Sequence, residues 1–184
     1  MTPAFDGPAV VIGVGNALLR DDGVGVRVVE ELRAVVRHDA SALPEDTVLV
    51  DGGTLGLDLL RTVAGARSLL FLDAVDLHLP PGTVTVLRGD AIPAAGGRWG
   101  RAVPSGVGEV LAVGRLMGWL PDPVALVGVQ VDDTEFGIGL SRPVESALPR
   151  AVVTAREELR ELDRWVIAAR PRMAGIGVQE GATA

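Results

Sequence analysis

Asp21, Asp22, Asp51 and Asp73 each stand where an apolar run gives way to a turn, and a carboxylate in that setting needs a chemical reason. Asp21 and Asp22 follow Val10-Val11-Ile12-Gly13-Val14-Gly15-Asn16 after a short loop. Asp51 opens Asp51-Gly52-Gly53-Thr54, and Asp73 closes Ser68-Leu69-Leu70-Phe71-Leu72. A carboxylate at the end of an apolar strand is costly unless it is hydrogen-bonded, paired or metal-bound. Capping the helix that follows, worth about 0.5–2 kcal/mol, accounts for one of Asp21 and Asp22. It does not account for both, because adjacent like charges repel. If the strands preceding Asp22 and Asp73 are neighbours, the two side chains reach one crevice, with Asp51 on its other side. Two converging carboxylates suit a divalent cation, or a pair sharing a proton.

Other chemistries are poorly provided for. The chain has no cysteine and 2 histidines, so thiol nucleophiles and metal sites built on several histidines are excluded. His78 reads as an exposed loop residue after the Asp73 strand, and His38 as a structural residue at a helix C-terminus. Ser105 has no histidine placed to activate it. Gly13-Val14-Gly15 lacks the third glycine of a dinucleotide fingerprint, where Leu18 stands instead. The net charge is −7, every basic residue is Arg, and no basic cluster interleaves with aromatics, so nucleic acid is not an expected partner. No apolar run approaches a membrane span, and the N-terminus lacks the pattern of a signal peptide. A cytoplasmic location is expected.

Carboxylates converge only if the elements around them do. A β-branched apolar run, a Gly-rich turn and a helical pattern open a doubly wound α/β fold, whose sites lie beyond the carboxyl ends of its strands. Residues 9–15 read as a central parallel strand. Gly23 to His38 predicts an amphipathic helix, with Val24, Val28, Val29, Leu32, Val35 and Val36 inward. Thr47 to Val50 predicts a second strand, with Asp51-Gly52-Gly53 as the turn after it. Leu55 to Ala64 predicts a helix with Thr54 as its N-cap, and Ser68 to Leu72 a third strand. Right-handed crossovers make these strands parallel neighbours. Ala74 to Gly82 is shorter than the dozen or so residues of a parallel crossover, so Thr83 to Arg88 predicts an antiparallel strand in a mixed sheet.

Residues 89–105 read as a loop. Gly106 to Trp119 predicts a helix with Val107, Val110, Leu111, Leu116 and Met117 as its apolar positions. Val124 to Val129 predicts the last strand, Asp132 to Leu140 a loop, and Pro143 to Ala169 a closing helix that Pro149 should bend or delay. The expectation is one α/β domain over residues 1–170, with a Gly- and Ala-rich disordered tail over 171–184.

Taken in order and spacing, several blocks carry a family resemblance. Gly13-Val14-Gly15-Asn16-x-Leu18-x-x-Asp21-Asp22-Gly23-x-Gly25 comes first. Asp51-Gly52-Gly53-Thr54, Leu72-Asp73-Ala74, Pro81-Gly82-Thr83 and Leu126-Val127-Gly128-Val129 follow. From about residue 9 to 165 the chain resembles the hydrogenase maturation proteases. The resemblance implies an α/β/α sandwich with a mixed, mostly parallel sheet of about five strands, one of them antiparallel. It implies a cytoplasmic endopeptidase that removes a short C-terminal peptide from the precursor of a nickel–iron hydrogenase large subunit. It also implies two carboxylates and a histidine that meet the substrate's nickel, rather than a nickel ion held permanently.

The carboxylates fall on Asp22 and Asp73. The histidine falls on Ser105 if the preceding proline sets the register, and on Val103 if the following helix does. Neither is a histidine, and neither suits divalent nickel. Asp51-Gly52-Gly53-Thr54 and Asn16 would hold the substrate chain. Two further readings remain open from the sequence: a non-cleaving module that recognises a hydrogenase precursor, and, disfavoured by Leu18, a nucleotide-binding domain.

Overall fold

The computed structural model describes residues 6–92 and 106–173, the last four of these by backbone alone. Strands β1 (Ala9–Val14), β2 (Thr47–Gly53), β3 (Ser68–Val75), β4 (Val84–Arg88) and β5 (Val124–Gln130) form one sheet in the order β2-β1-β3-β5-β4. β1 runs parallel to β2 and β3, β3 runs parallel to β5, and β4 runs antiparallel to β5. The short connection before β4 therefore has the consequence expected of it. β1, β3 and β5 are buried along their whole length, as strands covered on both faces must be.

Helices α1 (Val24–His38) and α4 (Arg142–Met173) cover one face of the sheet. Their Val28, Leu32, Val144, Leu148 and Leu159 pack on Val11, Leu70, Leu72 and Val127. Helices α2 (Leu60–Val63) and α3 (Val107–Met117) cover the other face, where Val63, Val110 and Leu111 meet Ile12, Leu69, Phe71 and Leu126. Among the described residues no helix is long and apolar enough to cross a membrane.

The first turn of α1 is wedged against the seam between β1 and β3. A Cβ on Gly25 would lie 2.2 Å from the Leu72 carbonyl oxygen and 2.4 Å from that of Val14. Both are backbone atoms of the buried sheet and have nowhere to go. Gly25→Ala is expected to cost about 3 kcal/mol through overpacking. For a chain of this size that lowers the melting temperature by roughly 6–12 °C. An unchanged thermal unfolding curve would show that α1 sits less tightly than this.

Several expectations need correction. Residues 55–64 are not one helix: a 3₁₀ turn over Gly56–Leu59 leads into the single turn of α2, and Thr54 caps neither. Asp51-Gly52-Gly53 is not a turn but the last part of β2. Asp73 does not close its strand, because β3 continues to Val75. Leu116 and Met117 face solvent near the end of α3. α4 continues through Pro149 without interruption. Pro149 lies on the exposed face of α4, while Val144, Ala147, Leu148, Ala151 and Val152 bury the opposite face on both sides of it. That packing outweighs the roughly 3 kcal/mol that an interior proline costs a helix. α4 takes in residues 171–173 of the expected tail; its remainder, 174–184, most of the 89–105 loop, and Val103 and Ser105 with it lie outside the described residues.

Candidate active site

β1 ends at Val14, and the chain turns back at Gly15 with φ 130°. A Cβ there would lie 1.8 Å from the Asp22 carbonyl oxygen, so only glycine lets the turn close on the 3₁₀ segment Arg20–Gly23. The Gly15 N–H donates to the Gly53 carbonyl at 3.0 Å and joins the ends of β1 and β2. The backbone N–H of Asn16 donates to Asp22 Oδ2 at 2.7 Å. Asp22 is 6% exposed. Burial pushes its carboxyl pKa up, the Asn16 N–H pulls it down, and burial prevails.

Asp73 is 1% exposed and sits within β3, level with Gly128 of β5. Its Oδ1 accepts the N–H of Ala74 at 2.9 Å. Strand alternation puts it on the side of Leu69, Phe71 and Val75, the face that α3 covers. Asp22 leads directly into the turn that Gly25 lodges against Val14 and Leu72. Two buried carboxylates, one from the turn after β1 and one from the end of β3, therefore share the carboxyl rim of the sheet. The neighbouring strands expected from the sequence are what bring them there.

Asp21 behaves otherwise. It is fully buried, yet neither it nor Asp22 caps α1: the N-cap residue is Gly23, and no side chain caps the helix. Asp21 Oδ2 accepts the N–H groups of Asp132 and Asp133, both at 2.9 Å, and the Ser141 hydroxyl at 2.8 Å. Its Oδ1 accepts the Ser141 N–H at 2.6 Å. The capping role expected for one of the pair is thus replaced by a staple between the β1–α1 turn and the loop after β5. Sequence reasoning missed it because the partners are more than 100 residues away and no local pattern marks them.

The remaining expected residues are distributed along the same rim. Gly52 is buried against Ile12 and Leu59, while Asp51 and Thr54 are exposed at the end of β2 and just after it. The carbonyls of Gly52 and Gly53 accept the N–H groups of Leu55 and Gly15. His78 is exposed, as read from the sequence, with its Nδ1 3.5 Å from Asp76 Oδ1. Asp76 is held below the usual carboxylate range, first by the Gln130 amide and then by the His78 N–H. Gln130 Oε1 also accepts the N–H groups of Leu77 and Leu79 and so orders the β3–β4 loop.

The direction of the Asp22 shift predicts a pH dependence. The fold favours the neutral carboxyl, so the stability that this group contributes is full below the ordinary value of 3.8 and is lost as pH rises through the raised value. Asp22→Asn removes that loss while keeping an oxygen for the Asn16 N–H. The variant is expected to melt above the parent at pH 7, with the difference shrinking as pH falls toward 3.8. A difference independent of pH, measured by thermal unfolding across that range, would contradict it.

A mixed α/β sheet with buried carboxylates at its carboxyl rim serves many functions, and similarity to known proteins gives the class of this one. A family model described as hydrogenase maturation protease matches residues 26–158, a span that includes Asp73 and begins after Asp22. The hydrogenase expression/formation protein HupD of Rhodobacter capsulatus is 37% identical over 184 residues, 98% of this chain and 80% of that protein. The hydrogenase 2 maturation protease of Escherichia coli K12 is 36% identical over 153 residues, 83% of this chain and 90% of that one. The solved structure of the hydrogenase maturating endopeptidase HybD from E. coli superposes with a TM-score of 0.72. It is 34% identical and covers 84% of this chain and 93% of that one. The chain belongs to the hydrogenase maturation protease family, and its class is peptidase.

Proposed function

We propose that this chain removes the C-terminal peptide from the precursor of a nickel–iron hydrogenase large subunit in the cytoplasm. The observation that carries this reading is the pair of buried carboxylates, Asp22 and Asp73, at one rim of a maturation-protease fold. These two groups meet the nickel that the precursor brings, or position the water that attacks the scissile peptide. Nickel belongs to the substrate here and is not a resident cofactor. Two carboxylates supply only oxygen donors. The softer ligands that divalent nickel favours therefore come from the precursor itself. A carboxyl raised by burial, as that of Asp22 is, is a better proton acceptor for an attacking water than an ordinary one. Asn16, Asp51, Gly52, Gly53 and Thr54 line the route by which the substrate chain reaches the two carboxylates.

Nothing in this reading calls for nucleic acid or a membrane. The test is to incubate the purified protein with nickel-loaded large-subunit precursor and weigh the products. Appearance of a shortened subunit and a C-terminal peptide is the expected result, and an unchanged precursor mass would refute it.

A further inference from the structure

Half of the large apolar side chains left in solvent among the described residues follow the carboxyl ends of the parallel strands; the rest, Val48, Leu116, Met117, Val153, Trp165 and Ile167, lie on β2, α3 and α4. Among the described residues, Leu18, Leu55, Leu57, Leu79, Phe136 and Ile138 are all exposed, and all lie in the loops, or in the 3₁₀ turn Gly56–Leu59, that follow the carboxyl ends of parallel strands. Leu18 follows β1, Leu55 and Leu57 follow β2, Leu79 follows β3, and Phe136 and Ile138 follow β5. The same rim holds Asp22 and Asp73. Loops are ordinarily polar, and apolar groups gathered around a polar centre mark a surface that another protein covers.

The segment carrying Phe136 and Ile138 is also the most firmly held of these loops. The staple from the fully buried Asp21 fixes both of its ends, at Asp132 and Asp133 and at Ser141. Between them Gly137 pairs with Leu19: its N–H donates to the Leu18 carbonyl at 2.9 Å, and its carbonyl accepts the Arg20 N–H at 3.1 Å. Arg20 Nε lies 3.2 Å from Asp133 Oδ2. All of this holds Phe136 and Ile138 outward, 80% and 88% exposed. A loop with this much internal support and two bare apolar side chains is ordered for contact, because ordering it beforehand lowers the entropy cost of binding.

We infer that the loop from Asp132 to Leu140 is a docking arm for the protein substrate, and that Phe136 and Ile138, with Leu18 beside them, grip an apolar patch on the precursor. The inference rests on the function proposed above. The occupant is the precursor, not a free peptide, because the arm adjoins the carboxylate turn through Leu18, Leu19 and Arg20 and a substrate at Asp22 passes it. Docking of this kind sets substrate affinity and leaves the chemical step alone.

The test is the double variant Phe136→Ser/Ile138→Ser assayed on nickel-loaded precursor. KM is expected to rise about tenfold or more, while kcat at saturation stays within about threefold. The melting temperature should not change, since the removed groups are in solvent. Val153→Ser/Ile167→Ser, which strips two apolar groups that are 49% and 59% exposed on α4, serves as the control and should leave KM unchanged. An unaltered KM in the first variant overturns the arm and leaves the proposed function standing. A parent that sediments as a dimer, with the double variant sedimenting as a monomer, also overturns it, because the occupant is then a second copy of this chain. If the parent leaves the precursor whole, the proposed function falls. The arm is then judged by the affinity of both proteins for the same precursor in biolayer interferometry, and equal affinities refute it.

Discussion

Asp73→Asn is expected to reduce precursor cleavage by about 10²–10⁴-fold, the range lost when a positioned acid–base group is removed. The substitution keeps the volume of the side chain and an oxygen to accept the Ala74 N–H now bonded to Oδ1. The fold should therefore survive, and circular dichroism with an unchanged profile would establish that it does. What disappears is one carboxylate oxygen within β3, and with it a ligand for a cation and a site for a proton. Asp22→Asn should cause a loss of the same order if, as proposed, the two carboxylates act together. Single-turnover cleavage of nickel-loaded precursor, followed by mass, measures both. Undiminished processing by both variants would remove the carboxylate rim from the mechanism.

Removing the neighbouring carboxylate should do something different. Asp21→Ala deletes a fully buried acceptor that holds the backbone N–H groups of Asp132, Asp133 and Ser141 and the Ser141 hydroxyl. Each donor left without a partner in the interior costs about 1–3 kcal/mol. The sum is limited because the loop can detach and find water, so a net loss of about 2–4 kcal/mol is expected. The Arg20–Asp133 pair on the same loop is about 41% and 33% exposed, and such a pair is worth only about 0–1 kcal/mol. Asp133→Ala should therefore be nearly silent in denaturant unfolding where Asp21→Ala is not. Hydrogen exchange should locate the damage: the amides of Asp132, Asp133 and Ser141 lose protection, while those of β1 and β3 keep theirs. A uniform loss of protection would mean that Asp21 supports the whole fold rather than the loop.

The two adjacent aspartates show where reading the sequence succeeds and where it stops. The strand order that makes β1 and β3 neighbours, and so brings Asp22 and Asp73 to one rim, follows from local signals: β-branched runs, a Gly-rich turn, helical periodicity and the handedness of crossovers. The antiparallel β4 follows from the length of one connection. These cues act over a few residues to a few tens, and they survive folding because nothing in the tertiary structure opposes them. The extent of β2 and β3 was misread because Asp51-Gly52-Gly53 and Asp73 look like strand breakers in isolation. Pairing with β1 and β5 carries both strands further. The helix after β2 shrinks to a 3₁₀ turn and one turn of α2, and Pro149 is absorbed into α4, again because packing overrides local preference. The role of Asp21 had no signal at all, since its partners lie beyond residue 130. The burial of Asp22 and Asp73 at the carboxyl rim was thus legible, and the support from Asp21 was not.

Ser141 ties that support to the longest element of the molecule. Its N–H and hydroxyl grip Asp21, and its carbonyl accepts the Glu145 N–H in the opening turn of α4. The rim is therefore finished by a knot whose last strand lies near the far end of the chain. During synthesis the sheet strands that carry Asp22 and Asp73 emerge first, yet the β1–α1 turn stays unbraced until residue 141 has left the ribosome and α4 has begun to wind. A nascent chain lacking that segment lacks the partners of Asp21 at Asp132, Asp133 and Ser141, so the bracing of the β1–α1 turn arrives only with the final third of the protein.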